Sequence, residues 1–179
     1  MSAAGEIRRL LPGEYASWVP QLGAILADCV SAGASVSFLL PFTAADGAAF
    51  FASLAGGVEQ EERIVFGAFV EGELAGTAQL ILNLPPNQPH RAEIAKMLVS
   101  PQHRGRGLAA ALLAGLEAEA KARGKWLLVM DTVRDGVADR LYRRQGYQVV
   151  GIIPDYALMP DGALCDTVMF YKDLRATGT

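Results

Sequence analysis

The sequence predicts an α/β protein in which helices pack on both faces of one mixed central sheet. Three observations lead there. Residues 97–113 read as a strand, a basic glycine-bearing turn and a helix, in that order. Residues 64–82 read as a hairpin, two strand-like runs hinged at Glu71-Gly72-Glu73. The chain as a whole runs β-α-α-β-β-β-α-β-α-β-β, so strands and helices must share a core.

Taken in order, residues 6–11 form a short strand closed by Pro12-Gly13. Residues 15–32 are helical, with Trp18, Leu22, Ile25, Leu26 and Cys29 near one face and Gly33 ending the helix. Cys29 packs in that face as a small hydrophobe. Residues 35–42 are an apolar linker, too short and proline-limited for a core helix. Thr43 caps a helix over 44–54, whose buried weight comes from Phe50 and Phe51 and which Gly56-Gly57 stops. Residues 59–63 read as a solvated charged loop. After the hairpin, 83–89 is a proline-rich connection ending at His90, read as a solvated loop histidine.

Residues 91–100 form the central strand. A period of two puts Glu93, Ala95, Met97 and Val99 on one face and Ile94, Lys96 and Leu98 on the other. Ser100-Pro101 ends it, because proline lacks the N–H that a ladder needs. From Leu108 the pattern is helical, with Leu108, Leu112 and Leu116 four apart among alanines, up to Arg123-Gly124-Lys125. Residues 126–130 are a continuous apolar strand, as for one covered on both faces, and Asp131-Thr132 ends it. A helix over 136–145 and strands over 147–153 and 165–171 close the chain, with a frayed tail from 175 to 179.

Composition narrows the class. The 179 residues suit one domain spanning 1–179 with a substantial core. Half the residues are hydrophobic and the net charge is −3, which suits a soluble enzyme and argues against nucleic acid as a partner. The first six residues lack a charged segment followed by an apolar run, so no secretory signal is read. Apolar runs such as 64–70 fall far short of the ~20 residues that span a bilayer. Cys29 and Cys165 stand alone, without CxxC or histidine spacing, so neither a disulfide framework nor a metal site is expected. A cytoplasmic, metal-free protein that touches no membrane is the resulting expectation.

The basic turn carries the chemistry. Gly105 and Gly107 let the backbone approach a ligand with no Cβ in the way, and the helix N-terminus behind them offers unpaired N–H groups and a positive dipole end. Arg104, Arg106 and His103 add charge around it, so the expected ligand carries a pyrophosphate.

Arg104-Gly105-Arg106-Gly107-Leu108-Ala109 resembles the pyrophosphate-binding signature of the GNAT superfamily of N-acetyltransferases: Gln or Arg, glycine three residues on, Gly or Ala two further. Gly105, Gly107 and Ala110 also fit the dinucleotide pattern G-x-G-x-x-G/A, with Asp131 at a tolerable distance for a ribose contact. Against that reading, residues 101–104 separate the first glycine from its strand. Two arginines suit a more phosphate-rich ligand such as coenzyme A, and one short helix and a hairpin follow Asp131 in place of repeated βαβ units.

The resemblance covers nearly the whole chain. It implies a GNAT-type mixed, mostly antiparallel sheet whose central strand and the following apolar strand splay apart to admit the pantetheine arm. It further implies acetyl-CoA as cosubstrate and direct acetyl transfer to an amine in a ternary complex. Met97, Leu98 and Val99 then correspond to the strand end that pairs with pantetheine, with the Leu98 N–H facing the thioester oxygen. Residues Arg104 to Ala109 correspond to the pyrophosphate cradle. Leu141-Tyr142-Arg143-Arg144-Gln145-Gly146-Tyr147 resembles the late GNAT motif, which makes Tyr142 the acid for the departing thiolate. Glu93 and Asp131 are the two candidate bases, each equally readable as a salt-bridge partner of nearby Arg91, Lys96 or Arg134. Cys165, on a late strand, is a poor nucleophile candidate.

Residues 127–132, 141–142, 151–162 and 170–172, with Ala34-Ser35-Val36-Ser37-Phe38, look like the tabtoxin resistance acetyltransferase group. Its members acetylate the amine of a small amino-acid-like toxin. The loop over 155–162 and residues 38–42 are expected to wall the acceptor pocket. Three functions stand open: a small-molecule amine N-acetyltransferase, an acetyltransferase of protein N-termini or lysines, and a non-catalytic acyl-CoA-binding regulator. A homodimer is compatible with each.

Overall fold

The computed structural model describes residues 5–175. Its elements are β1 (Glu6–Arg9), α1 (Pro12–Ser31), α2 (Ala44–Ser53), α3 (Ala55–Glu59), β2 (Arg63–Val70), β3 (Glu73–Ile81), β4 (Arg91–Val99), α4 (Leu108–Ala122), β5 (Leu127–Val133), α5 (Val137–Arg144), β6 (Gln148–Leu158) and β7 (Leu164–Asp173). The strands form one seven-stranded sheet in the order β1-β2-β3-β4-β5-β7-β6. Every neighbouring pair is antiparallel except β4 and β5, which are parallel. This is the mixed, mostly antiparallel sheet that the sequence predicts, with helices on both faces.

Each face has its own core. On one, α4 and α5 lay Leu112, Leu113, Leu116 and Tyr142 against Phe66, Leu80, Ile94, Met130 and Phe170. On the other, α1 and α2 lay Leu22, Leu26 and Phe51 against Val65, Phe69 and Leu98. Each fully buried leucine or phenylalanine contributes about 1.5–3 kcal/mol of transfer free energy. Two polar contacts tie α4 to the far end of the sheet, Lys172 Nζ to Glu117 Oε1 at 2.8 Å and the Tyr147 hydroxyl to Glu117 at 3.0 Å, and Lys172 also donates to the carbonyl of Gln145, which caps α5, at 2.9 Å.

The α2 start is as read: Thr43 and Asp46 form a reciprocal capping box. Several readings are corrected. Pro12-Gly13 opens α1, with Pro12 in the first helical turn, where its missing N–H costs nothing. Gly56-Gly57 does not stop the helical segment; α3 runs through both glycines because Val58 is buried and outweighs their propensity cost. The 59–63 stretch is a surface turn only over 60–62, since Glu59 ends α3. Arg63 opens β2, and Glu61 pairs with Arg9 at 2.5 Å and Arg123 at 3.3 Å, bridging β1 to α4. His90 stacks on Trp126 with ring centroids 4.6 Å apart.

β5 starts at Leu127 and continues through Asp131 to Val133; only Leu128 and Met130 are buried, so one of its faces is partly open. β6 runs on to Leu158, so residues 155–158 belong to a strand and the true loop is the short 159–163 connection. The expected frayed tail lies outside the described residues apart from Arg175, which pairs with Asp173 at 2.7 Å and lies 3.4 Å over the Trp126 ring.

The central strand holds the most consequential correction. Ile94 lies in the α4-side core and Leu98 in the α1-side core, whereas strict alternation puts them together. Thr77 pairs with Leu98 and Gln79 with Ala95, so Lys96 and Met97 together oppose the single residue Ala78. Lys96 takes φ +49°. This β-bulge rotates the strand end, and beyond it the faces exchange.

Helices α1 and α2 meet backbone to backbone at Gly23 and Gly47: a Cβ on either glycine would collide with main-chain atoms of the other helix. Gly23→Val is expected to lower the stability of the fold by about 1–3 kcal/mol or more, since backbone cannot give way as a side-chain end can. Equilibrium urea unfolding of the two proteins, compared at matched slope, measures it.

Candidate active site

Two strands that part company make the site. β4 and β5 pair only at Arg91–Leu127, Ala92–Leu128 and Glu93–Val129. Past Glu93, β4 stays hydrogen-bonded to β3 as far as Gly76–Val99, and β5 to β7 as far as Val133–Thr167, but the two no longer pair with each other. The result is a wedge whose β4 wall carries Met97, Leu98 and Val99 with one backbone edge free of a strand partner. Backbone donors and acceptors so exposed call for a partner in an extended chain.

At the mouth of the wedge, β4 leads through a 3₁₀ turn, Pro101–His103, into the basic turn. Gly105 and Gly107 have φ +76° and +77°, conformations that L side chains rarely adopt, and a Cβ at either would point into open space. Gly107 caps α4, whose first intrahelical bond runs from Ala111 N–H to the Gly107 carbonyl at 3.1 Å. The N–H groups of Leu108 and Ala109 therefore lack a helical acceptor and face the helix end, where the dipole is positive. Arg104 and Arg106 are exposed beside them, and Arg104 Nε reaches the Val99 carbonyl at 3.4 Å. Exposed arginines, free amides and open space above two glycines fit the phosphates of an acyl-CoA.

Of the three side chains proposed from the motifs, Glu93 and Asp131 lie on the α1-side face of the sheet and Tyr142 lies beneath, in the α4-side core. Glu93 is committed to Arg91, with Nη1 to Oε1 at 2.7 Å. Asp131 has no such pair among the described residues. It keeps exposed surface, yet neighbouring protein strips enough water from its carboxyl to raise it above the ordinary range; Lys96 opposes that rise and Glu93 adds to it. Arg134, read from the sequence as a partner of Asp131, pairs instead with Asp166 at 3.3 Å and with Asp135 at 3.5 Å.

Tyr142 is 4% exposed, packed between Tyr147 and Phe170 at centroid distances of 5.9 and 5.7 Å. Burial, with the nearby Asp131 charge, pushes its phenol far above the usual value, so the proton stays on the oxygen at neutral pH.

Sequence reasoning missed a polar cluster on the same face. Lys96 donates to the Val36 carbonyl at 2.9 Å and to Ser37 Oγ at 3.0 Å, with the Phe38 and Phe50 rings 5.4 and 5.5 Å away. Burial lowers its ammonium, Arg63 lowers it further, and Asp131 counteracts both. Arg63 Nη1 donates to Gln79 Oε1 at 2.5 Å. The one signal in the sequence was Lys96, set among the apolar residues that end β4. The residues expected to wall the acceptor side do meet: Leu40 N–H donates to the Pro160 carbonyl and Ser35 Oγ to the Leu158 carbonyl, both at 2.9 Å.

Comparison with known proteins agrees with this geometry. Among solved structures, the chain is similar to an N-acetyltransferase from Staphylococcus aureus Mu50 (TM-score 0.76, 23% identity, covering 95% of this chain and 98% of that one). It is similar to a ribosomal-protein-alanine N-acetyltransferase from Brucella melitensis (0.75, 24%, 94% and 99%). A phosphinothricin acetyltransferase from Sinorhizobium meliloti in complex with acetyl-CoA matches at 0.77, with 20% identity over 98% and 92%. At such identities the likeness carries the fold alone. The model of the acetyltransferase (GNAT) family matches residues 34–147, a span that holds the wedge, the basic turn and Tyr142. The chain therefore belongs to the GNAT family of acetyltransferases.

Proposed function

We propose that this single-domain chain, working in the cytoplasm as a monomer or homodimer, transfers an acetyl group from acetyl-CoA to a primary amine of a small molecule by direct attack in a ternary complex. The carrying observation is the unpaired β4 edge, which runs from the free-amide turn to the Asp131–Tyr142 neighbourhood. Met97 to Val99 hold the pantetheine arm and Arg104 to Ala109 the pyrophosphate. The Leu98 N–H meets the developing oxyanion; one preorganised donor there lowers the barrier by about 2.7–4 kcal/mol.

The amine must lose a proton to attack. Asp131 is the better placed acceptor for it, because it is unpaired and raised, whereas Glu93 is held by Arg91 and acts through water. Tyr142, protonated at neutral pH, hydrogen-bonds to the sulfur as its bond to the acetyl carbon breaks; a phenol raised above a thiol does not ionise outright, so the proton that ends on the thiolate passes in concert with the proton lost by the attacking amine. The bonds from Leu40 to Pro160 and from Ser35 to Leu158, which tie the 34–42 segment to the end of the β6–β7 hairpin, support a small acceptor over a peptide. A detoxifying role like that of the tabtoxin resistance group is in keeping with this wall. An amine-panel screen with acetyl-CoA, following thiol release, tests the reading; no release with any amine overturns it.

Gly107→Val should leave the far-ultraviolet dichroism native but abolish acetyl-CoA binding, because a branched residue at φ +77° strains the turn and fills the space above it. Calorimetry decides the point: wild-type affinity in a folded variant removes the turn from the coenzyme site.

Tyr142→Phe should lower kcat by up to about 100-fold with little change in coenzyme affinity, the low end of what a positioned acid contributes. An unchanged kcat where chemistry limits the rate would make Tyr142 a packing residue.

For the carboxylates, kcat/KM of the wild type should fall as pH drops and Asp131 takes up a proton, the fall setting in above the ordinary aspartate range. Asp131→Asn and Glu93→Gln should each leave partial activity, the pair far less, and the double variant should recover as pH rises and solvent supplies neutral amine. Three profiles superimposed on the wild type would show both carboxylates to be structural.

A further inference from the structure

The α1-side face of the sheet carries a contiguous set of hydrogen-bond donors that the fold leaves without an anion. Gln79 is fully buried, spends its Oε1 on Arg63, and has no acceptor for its Nε2. An orphaned buried donor costs about 1–3 kcal/mol and needs a reason. Arg63 uses one N–H on Gln79 and reaches no carboxylate within ion-pair distance among the described residues. Lys96 follows Ala95, the register partner of Gln79, and spends two of its three N–H groups on Val36 and Ser37.

The opposite sign lies across the wedge. Asp131 is close enough for its charge and that of Lys96 to act on each other, yet they do not close into an ion pair. Glu93, the other acid on this face, is already spent on Arg91. Cationic groups on β2 and β4, with the neutral Gln79 amide between them on β3, and one carboxylate on β5 without an ion pair among the described residues thus lie on one sheet face, on opposite sides of the gap between β4 and β5. That pattern complements a molecule carrying an ammonium at one end and an anion at the other. The Phe38 and Phe50 rings flanking Lys96 keep water from screening the contact.

We propose that Lys96, Arg63 and Gln79 form a carboxylate-binding subsite, so that the acceptor is an amino acid or close analogue bound as a zwitterion with its amine toward Asp131. This rests on the acetyl-transfer reading above and names its substrate class. It also separates a free amino acid from a peptide N-terminus, which presents an amide where the carboxylate would lie.

The test is a matched panel of free α- and ω-amino acids, each beside its amide and its decarboxylated amine, assayed with acetyl-CoA for thiol release. The wild type should prefer the carboxylate-bearing member of the best set by about tenfold or more in kcat/KM, mainly through KM. Gln79→Glu, close to isosteric and able to keep its bond to Arg63, should collapse that preference by replacing a neutral donor with a negative charge. Lys96→Met should do the same, and Lys96→Arg should restore part of it. Thermal melts and acetyl-CoA calorimetry on each variant confirm that fold and coenzyme site are retained.

Equal or better turnover of amides or decarboxylated amines overturns the subsite while leaving the acetyltransferase reading intact. A preference that survives both Gln79→Glu and Lys96→Met overturns the assignment of these residues. Acetyl-CoA binding without transfer to any panel member overturns the subsite and the small-molecule reading together.

Discussion

Parallel strands β4 and β5 pair at three positions and then separate, which leaves backbone polar groups on two facing edges that the sheet itself cannot satisfy. Such groups cost free energy unless something else pairs with them, so the fold is complete only when an extended ligand, or water, lies between the strands. The rest of the molecule is arranged to tolerate that gap. β4 is held by β3 on its other side and β5 by β7, while α4 and α5 seal the face beneath with Leu112, Leu116, Tyr142 and Phe170.

The bulge at Lys96 turns this gap into a site. Without it, the side chains of residues 97–99 would stay in phase with Ile94, and Leu98 would enter the α4-side core. With it, Leu98 packs under α1 and α2, Met97 and Val99 turn toward α4, and Lys96 emerges beside Gln79. One residue in a left-handed conformation, worth about 1–2 kcal/mol of strain for a residue with a Cβ, thereby sets which side chains face the α1 layer and which face α4.

The parts of the fold that local chemistry dictates were readable. Thr43 with Asp46 starts α2, Glu71-Gly72-Glu73 turns the first hairpin, and Gly107 before an alanine-leucine run starts α4; each signal sits within a few residues of its effect. What depended on distant partners was not. Val58 holds α3 together across two glycines through burial alone, and β6 outruns its apolar stretch because β7 pairs with it up to Leu158–Leu164. The motif residues of the basic turn and of the 141–147 segment could be named from spacing. The Arg63–Gln79–Lys96 cluster could not, for it draws on three strands and on a bulge that breaks the alternation from which faces are read.

Two segments about 120 residues apart in the chain, 34–42 and 158–163, are joined partly by a main-chain bond from Leu40 to Pro160. A main-chain donor and acceptor are indifferent to most side chains mounted on them. The exposed side chains of Leu39 and Asp161 can therefore change in size and charge while the bond between the segments persists. The join between residues 34–42 and the end of the β6–β7 hairpin is thus insulated from the surface chemistry around it.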